Sequence, residues 1–148
     1  MYRYQILIEY VGTPFVGWQI QKKGKSVQKT IQSTLSKLLR QKIKLFSAGR
    51  TDAGVHSNEQ SAHFDVKNKI QNINKIIKSL NFFLNQKMIS IINIKKKNIN
   101  FHARHSAKER IYLYIINNRF SPSTVNKDRE WHIRKILDIS LIKKGAKK

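Results

Sequence analysis

Ala48-Gly49-Arg50-Thr51-Asp52-Ala53-Gly54-Val55-His56 is the stretch on which the reading of this chain turns. It follows an apolar run, Ile43 to Phe46, and precedes an alternating one, Gln60 to Val66, so it reads as a tight loop between two strands. The two glycines permit positive φ or the close approach of another backbone. The chain has eight acidic residues against thirty basic ones. One of those acids, Asp52, stands in this Gly-bounded loop two residues from Arg50, which would hold it ionised and oriented. Taken alone, Asp-Ala-Gly is an ordinary turn sequence, and a capping or turn-forming Asp is the commoner reading. The whole string has to carry more than the tripeptide.

Upstream of the loop, Tyr4, Ile6, Ile8 and Tyr10 alternate with Gln5, Leu7 and Glu9, so residues 2–10 form a half-buried strand. Gly12, Pro14 and Gly17 make the next segment a loop. Ser26 caps a helix bearing Val27, Ile31, Leu35, Leu38 and Leu39 on one face. After the central loop, Ala62, Phe64 and Val66 alternate in a strand. Ile73, Ile76, Ile77, Leu80 and Leu84 mark a second amphipathic helix, and Met88 to Ile94 an apolar strand. The order β-α-β-β-α-β is that of an α+β, ferredoxin-like unit with an antiparallel sheet. Its helices cover one sheet face and leave the other available, the face that RNA-recognition modules use.

Residues 1–97 are therefore expected to form an N-terminal domain carrying the loop, and residues 98–148 to begin a second, similar half. In that half Ile111, Leu113 and Ile115 alternate with Tyr112, Tyr114 and Ile116, predicting a strand. Residues 119–130 are polar and irregular, and Asp138 is placed to cap a helix with Leu141, Ile142 and Ala146. No strand or second amphipathic helix follows, so the chain reads as the N-terminal portion of a longer protein.

Composition narrows the function classes. No cysteine occurs, which excludes a disulfide framework and a thiolate metal site. The N-terminal apolar stretch is too short and too charged for a signal peptide. No apolar run approaches the roughly 20 residues of a membrane span, so a cytoplasmic protein is expected. The net charge of +22 calls for a polyanionic partner, with nucleic acid first. Lysines outnumber arginines 22 to 8, and isoleucine and asparagine are frequent. An A- and T-rich coding sequence produces the same skew, so part of the basic excess reads as solvated surface.

The nine-residue string resembles the GRTDAGVH signature of the tRNA pseudouridine synthase A family. Further pieces resemble that family in order and spacing along essentially the whole chain: Tyr10 through Gly17-Trp18-Gln19; Ser26-Val27-Gln28; Gln60, His63 and Phe64; Phe101-His102-Ala103-Arg104; then Ala107, Arg110, Tyr112 and Tyr114. The chain departs from the pattern at Glu59, where the family usually has glycine. It departs also at Ile20, in place of a frequent basic residue, and at Asn85, in place of a proline. The resemblance implies an isomerase that converts uridine to pseudouridine at positions 38 to 40 of the tRNA anticodon arm. It implies Asp52 as the catalytic residue, Arg50 filling the gap left by a flipped base, and Tyr112 stacking on the target base. Thr51, His56, Arg104 and Arg110 are the other residues it places against substrate or RNA. It also implies two related halves with a basic cleft between them, and a homodimer.

That reaction breaks the bond between ribose C1′ and base N1, rotates the base and rejoins it through C5. It needs a carboxylate against the uridine, as nucleophile or proton-abstracting group, and no metal or other cofactor. A stacked uridine must also be swung out to reach it. Two rival readings exist. His56, with Asp52 or with His102 and His105, could be taken as metal ligands of a phosphodiesterase. Asp52 is the only carboxylate of its string, and a two-metal site wants more. Alternatively the chain is an inactive RNA-binding fragment of such an enzyme.

Overall fold

The structure is a computed structural model that describes residues 1–146; the expected second half thus extends, at Lys147 and Lys148, outside the described residues. The chain divides into two compact units, Met1–Arg110 and Ile111–Lys148.

The first unit is built from β1 (Tyr2–Tyr10), α1 (Val27–Leu38), β2 (Leu45–Ser47), β3 (Ser57–Val66), α2 (Ile73–Leu84) and β4 (Ile89–Lys97), the order the sequence predicts. The strands form one antiparallel sheet in the order β2-β3-β1-β4. Period-two alternation puts Tyr4, Ile6, Ile8 and Tyr10 of β1 on the buried face. They meet Val27, Ile31 and Leu35 of α1 and Leu80 and Leu84 of α2 in a single core. Each fully buried Ile or Leu stabilises this unit by about 1.5–3 kcal/mol relative to an exposed one. α1 starts where the Ser26 hydroxyl accepts the Lys29 N–H at 3.2 Å, and α2 where the Asn72 side chain accepts the Lys75 N–H at 2.8 Å.

Two irregularities shape the sheet. Ile8 pairs with Gln60 but Tyr10 with Ser57, so β3 carries one extra residue at Asn58–Glu59. Glu59 takes up this bulge without entering the left-handed region, which is how it stands where glycine is usual. A second bulge, between Ile91 and Asn93, turns Ile92 out to solvent.

The sheet's other face is not left open along its length. Residues 99–106 cross it, held by Arg3 Nη1, which donates to the carbonyls of Ile99 at 2.6 Å and Phe101 at 2.8 Å. Ala103 is buried, and its N–H donates to His63 Nδ1 at 3.1 Å. Alternation alone could not reveal this strap, because it depends on two polar groups of separate strands.

The second unit departs from expectation. Residues 111–115 form no strand; only β5 (Ile116–Asn117) is extended, paired in parallel with β6 (Trp131–His132). Both faces of the 111–115 segment are apolar or aromatic, so its alternation selects no buried side. Asn118 organises this unit: it donates to the carbonyls of Ile133 and Lys135 and accepts the Leu137 N–H. Asp138 caps α3 (Ile139–Gly145) as predicted, accepting the N–H groups of Ser140 and Leu141, and those bonds hold its carboxyl below the usual range. Ala146 is the residue that ends this helix.

Candidate active site

Asp52 lies in the loop between β2 and β3, and this loop is clamped from three sides. The N–H of Trp18 donates to the Thr51 carbonyl at 2.9 Å. Tyr10 and Thr51 share a hydroxyl–hydroxyl bond of 2.8 Å. Burial raises the Tyr10 pKa against the effect of its bonds to Thr51 and Ser57. From the β3 side, Gln60 Nε2 donates to the Gly49 carbonyl at 2.7 Å, and Ala48 N–H donates to the Ser61 carbonyl at 2.8 Å. From the end of the first unit, Arg110 donates through Nε and Nη2 to the Ala48 carbonyl.

Two glycines outside the loop let the 11–18 segment approach it. A Cβ on Gly12 would sit 2.0 Å from the Val55 carbonyl oxygen, and one on Gly17 2.8 Å from that of Thr51. Gly17 also has φ +105°, which side chains other than glycine's rarely tolerate. Within the loop, Gly54 has φ +79°, and a turn bond links Val55 N–H to the Asp52 carbonyl.

The outcome is an exposed carboxylate on a fixed backbone. Asp52 lines a hollow of about 510 Å³ with Val16, Gln19, Gln21, Arg50, Thr51 and Ala53, a size suited to a small-molecule-sized group. Among the described residues none hydrogen-bonds or ion-pairs with the Asp52 carboxylate. The expected Arg50–Asp52 pair is not formed: both side chains are exposed on the same hollow, where water competes for the charges.

The other sequence-derived residues separate. Thr51 is held by Tyr10 and props its neighbour. His56 is half-buried and accepts the Gly12 N–H through Nδ1 at 3.3 Å. Arg104 is exposed, and its carbonyl accepts from Arg110 Nη2 at 2.9 Å. Tyr112 belongs to the second unit and is 65% exposed. Reasoning from sequence passed over Gln19 and Gln21 as site residues, although both sit beside the Gly17-Trp18 turn. It also passed over Gln60 as the residue that ties down Gly49. Among the described residues no three His, Asp or Glu side chains gather as a metal site.

The comparisons with known proteins bear on this geometry directly. Residues 6–106 match the family model described as tRNA pseudouridine synthase, which is more than half of the chain and includes the Asp52 loop. This chain belongs to the tRNA pseudouridine synthase family. Relatives named tRNA pseudouridine synthase A agree with that placement. The protein from Pelagibacter ubique (strain HTCC1062) is 64% identical over 148 residues, the whole of this chain and 60% of its own length. Those of Anaplasma marginale (strain Florida) and Neorickettsia sennetsu are each 43% identical, over 97% of this chain and 59% of theirs. The chain thus spans about 60% of the length of the pseudouridine synthases it matches.

Proposed function

We propose that this protein isomerises uridine to pseudouridine in tRNA, with the Asp52 carboxylate as the group that attacks or deprotonates the nucleoside. The observation that carries the reading is the exposed carboxylate of Asp52, unpaired among the described residues, on a loop clamped at Thr51, Ala48 and Gly49. A catalytic carboxylate needs a fixed backbone and an unoccupied acid group, and this loop supplies both. The hollow beside it would take the flipped base. Arg50, at its wall, would occupy the space the base vacates, and the family resemblance gives Tyr112 the role of stacking on the base. Thr51, through Tyr10, holds the loop beside Asp52, while His56 and Arg104 would contact RNA. The net charge of +22 supports a tRNA partner. The uridines are those at positions 38 to 40 of the anticodon arm, the working form is a homodimer, and the compartment is the cytoplasm. No helix among the described residues is long and apolar enough to cross a membrane.

The strand order β2-β3-β1-β4, with both helices on one face, supports a ferredoxin-like assignment for the first unit. In this reading residues 1–97 are the N-terminal domain and residues 98–148 begin a second, similar half. Residues 98–110 are then the strap by which that half starts, lying within the first compact unit.

Tritium release from tRNA labelled at uridine C5 tests the reading, because rejoining the base through C5 expels that hydrogen. Release that survives a chelator is the expected result. Absence of release from a chain extended to the relatives' length would refute the proposal.

A further inference from the structure

We infer that Arg110 is a positioning residue for the Asp52 loop, acting through the backbone and not as a phosphate contact. The inference rests on the proposed isomerase reading for its catalytic consequence. Its structural half stands alone.

Strand β2 ends at Ser47, and past it the Ala48 N–H still reaches the Ser61 carbonyl of β3 at 2.8 Å. The carbonyls of Ala48 and Gly49, just before Asp52, lie past the paired register and need donors from elsewhere. Side chains provide both. Gln60 takes Gly49 at 2.7 Å. The guanidinium of Arg110 takes Ala48 with two donors, Nε at 3.1 Å and Nη2 at 2.9 Å. The same Nη2 reaches the Arg104 carbonyl at 2.9 Å. One planar group thus bridges two carbonyls 56 residues apart in the chain.

The other end of the bridge is anchored as well. Arg104 follows Ala103, whose N–H is bound to His63 Nδ1 on β3. The strap carrying Ala103 is tied to β1 by Arg3 at Ile99 and Phe101. Arg3 is itself fixed by Asp65 through two bonds of 2.8 and 2.7 Å. A continuous chain of bonds therefore runs from the centre of the sheet, through the strap, to the residue four places before Asp52.

This use consumes the Nε–Nη2 edge of Arg110, one of the two edges with which a guanidinium grips an oxyanion in bidentate fashion. A lysine could not replace it. One ammonium lacks the rigid fork that reaches Ala48 and Arg104 together.

The test compares Arg110→Ala and Arg110→Lys with the parent chain by three readouts. Hydrogen exchange of amides 48–55 should rise about tenfold or more in both variants, while amides of α1 keep their protection. The salt dependence of tRNA binding should keep its slope, whereas loss of a phosphate contact would lower the slope by about one. In the chain extended to the relatives' length, kcat should fall by about a hundredfold with KM within a factor of two, as for a misplaced catalytic group.

Unchanged exchange at 48–55 overturns the inference. So does a shallower salt slope with kcat intact, which would make Arg110 a phosphate contact. Asp52→Asn, run beside them, separates the two claims. If that variant still turns over, the isomerase reading falls while the loop exchange still decides the role of Arg110.

Discussion

Gly12 leaves no room for a side chain, because its Cβ would lie 2.0 Å from the Val55 carbonyl oxygen and 2.8 Å from the Gly54 carbonyl carbon. These are backbone atoms of the loop that carries Asp52, so they cannot swing aside as a flexible side chain would. Gly12→Ala should therefore push the loop off the 11–18 segment and cost about 1–3 kcal/mol, the range for overpacking. Pseudouridine formation should fall more than stability does, since misplacing a reacting group by an ångström is worth about a hundredfold in rate. A thermal melt and a turnover assay on that variant check both; full activity would mean that the loop position is not fixed from this side. At this scale the sequence disclosed Asp52, Gly49 and Gly54 through one contiguous string. It did not disclose Gln60, Arg110 or Tyr10 as the groups that hold the string. Their partners lie 11 to 62 residues away and are backbone or hydroxyl oxygens that leave no pattern along the chain.

Strand β3 carries the element whose behaviour depends on pH. His63 is buried, stacks on Phe46 at 5.1 Å, meets His102 at 4.7 Å and accepts the Ala103 N–H. Burial, then the charges of Arg3 and His102, hold its pKa down to about 4, with Asp65 working weakly the other way. His102 is pushed in the same direction by burial, His105 and the nearby arginines. A histidine depressed in the folded state is protonated more readily in the unfolded chain. Its contribution is complete above about pH 6.5 and is lost as pH falls from there through about 4. A shift of that size is worth roughly 3 kcal/mol in full, and on the order of 2 kcal/mol between pH 7 and pH 5. Urea unfolding at those two pH values should show the loss, and His63→Phe should reduce the difference. Equal stability at both would contradict the buried neutral imidazole. Asp65, held low chiefly by its bonds to Arg3, adds a separate loss only as pH falls below the ordinary carboxylate range. Elements with one decisive face were legible: β1 by alternation, α1 by Val27, Ile31 and Leu35, α3 by the Asp138 cap. The 111–115 segment was not, since Ile111, Leu113 and both tyrosines offer apolar surface on either side.

At the scale of the molecule the charge of +22 is the dominant property. Lysines and arginines that neutralise phosphates release counterions, so affinity for tRNA should fall on the order of a hundredfold or more between low and physiological salt. Filter binding over that range measures it. A flat response would assign the basic excess to codon composition and leave no RNA surface. Asp52→Asn decides whether this carboxylate does the chemistry. The substitution keeps shape and removes only the charge and basicity of an exposed side chain that bonds to none of the described residues. Pseudouridine content of tRNA, measured by mass spectrometry after incubation with parent and variant in a chain of the relatives' length, should drop to background for Asp52→Asn. A binding curve taken alongside should stay within about twofold, because phosphate contacts carry affinity. Turnover by Asp52→Asn near the parent level would contradict the assignment of the catalytic carboxylate, and with it the account of what this loop is built to do.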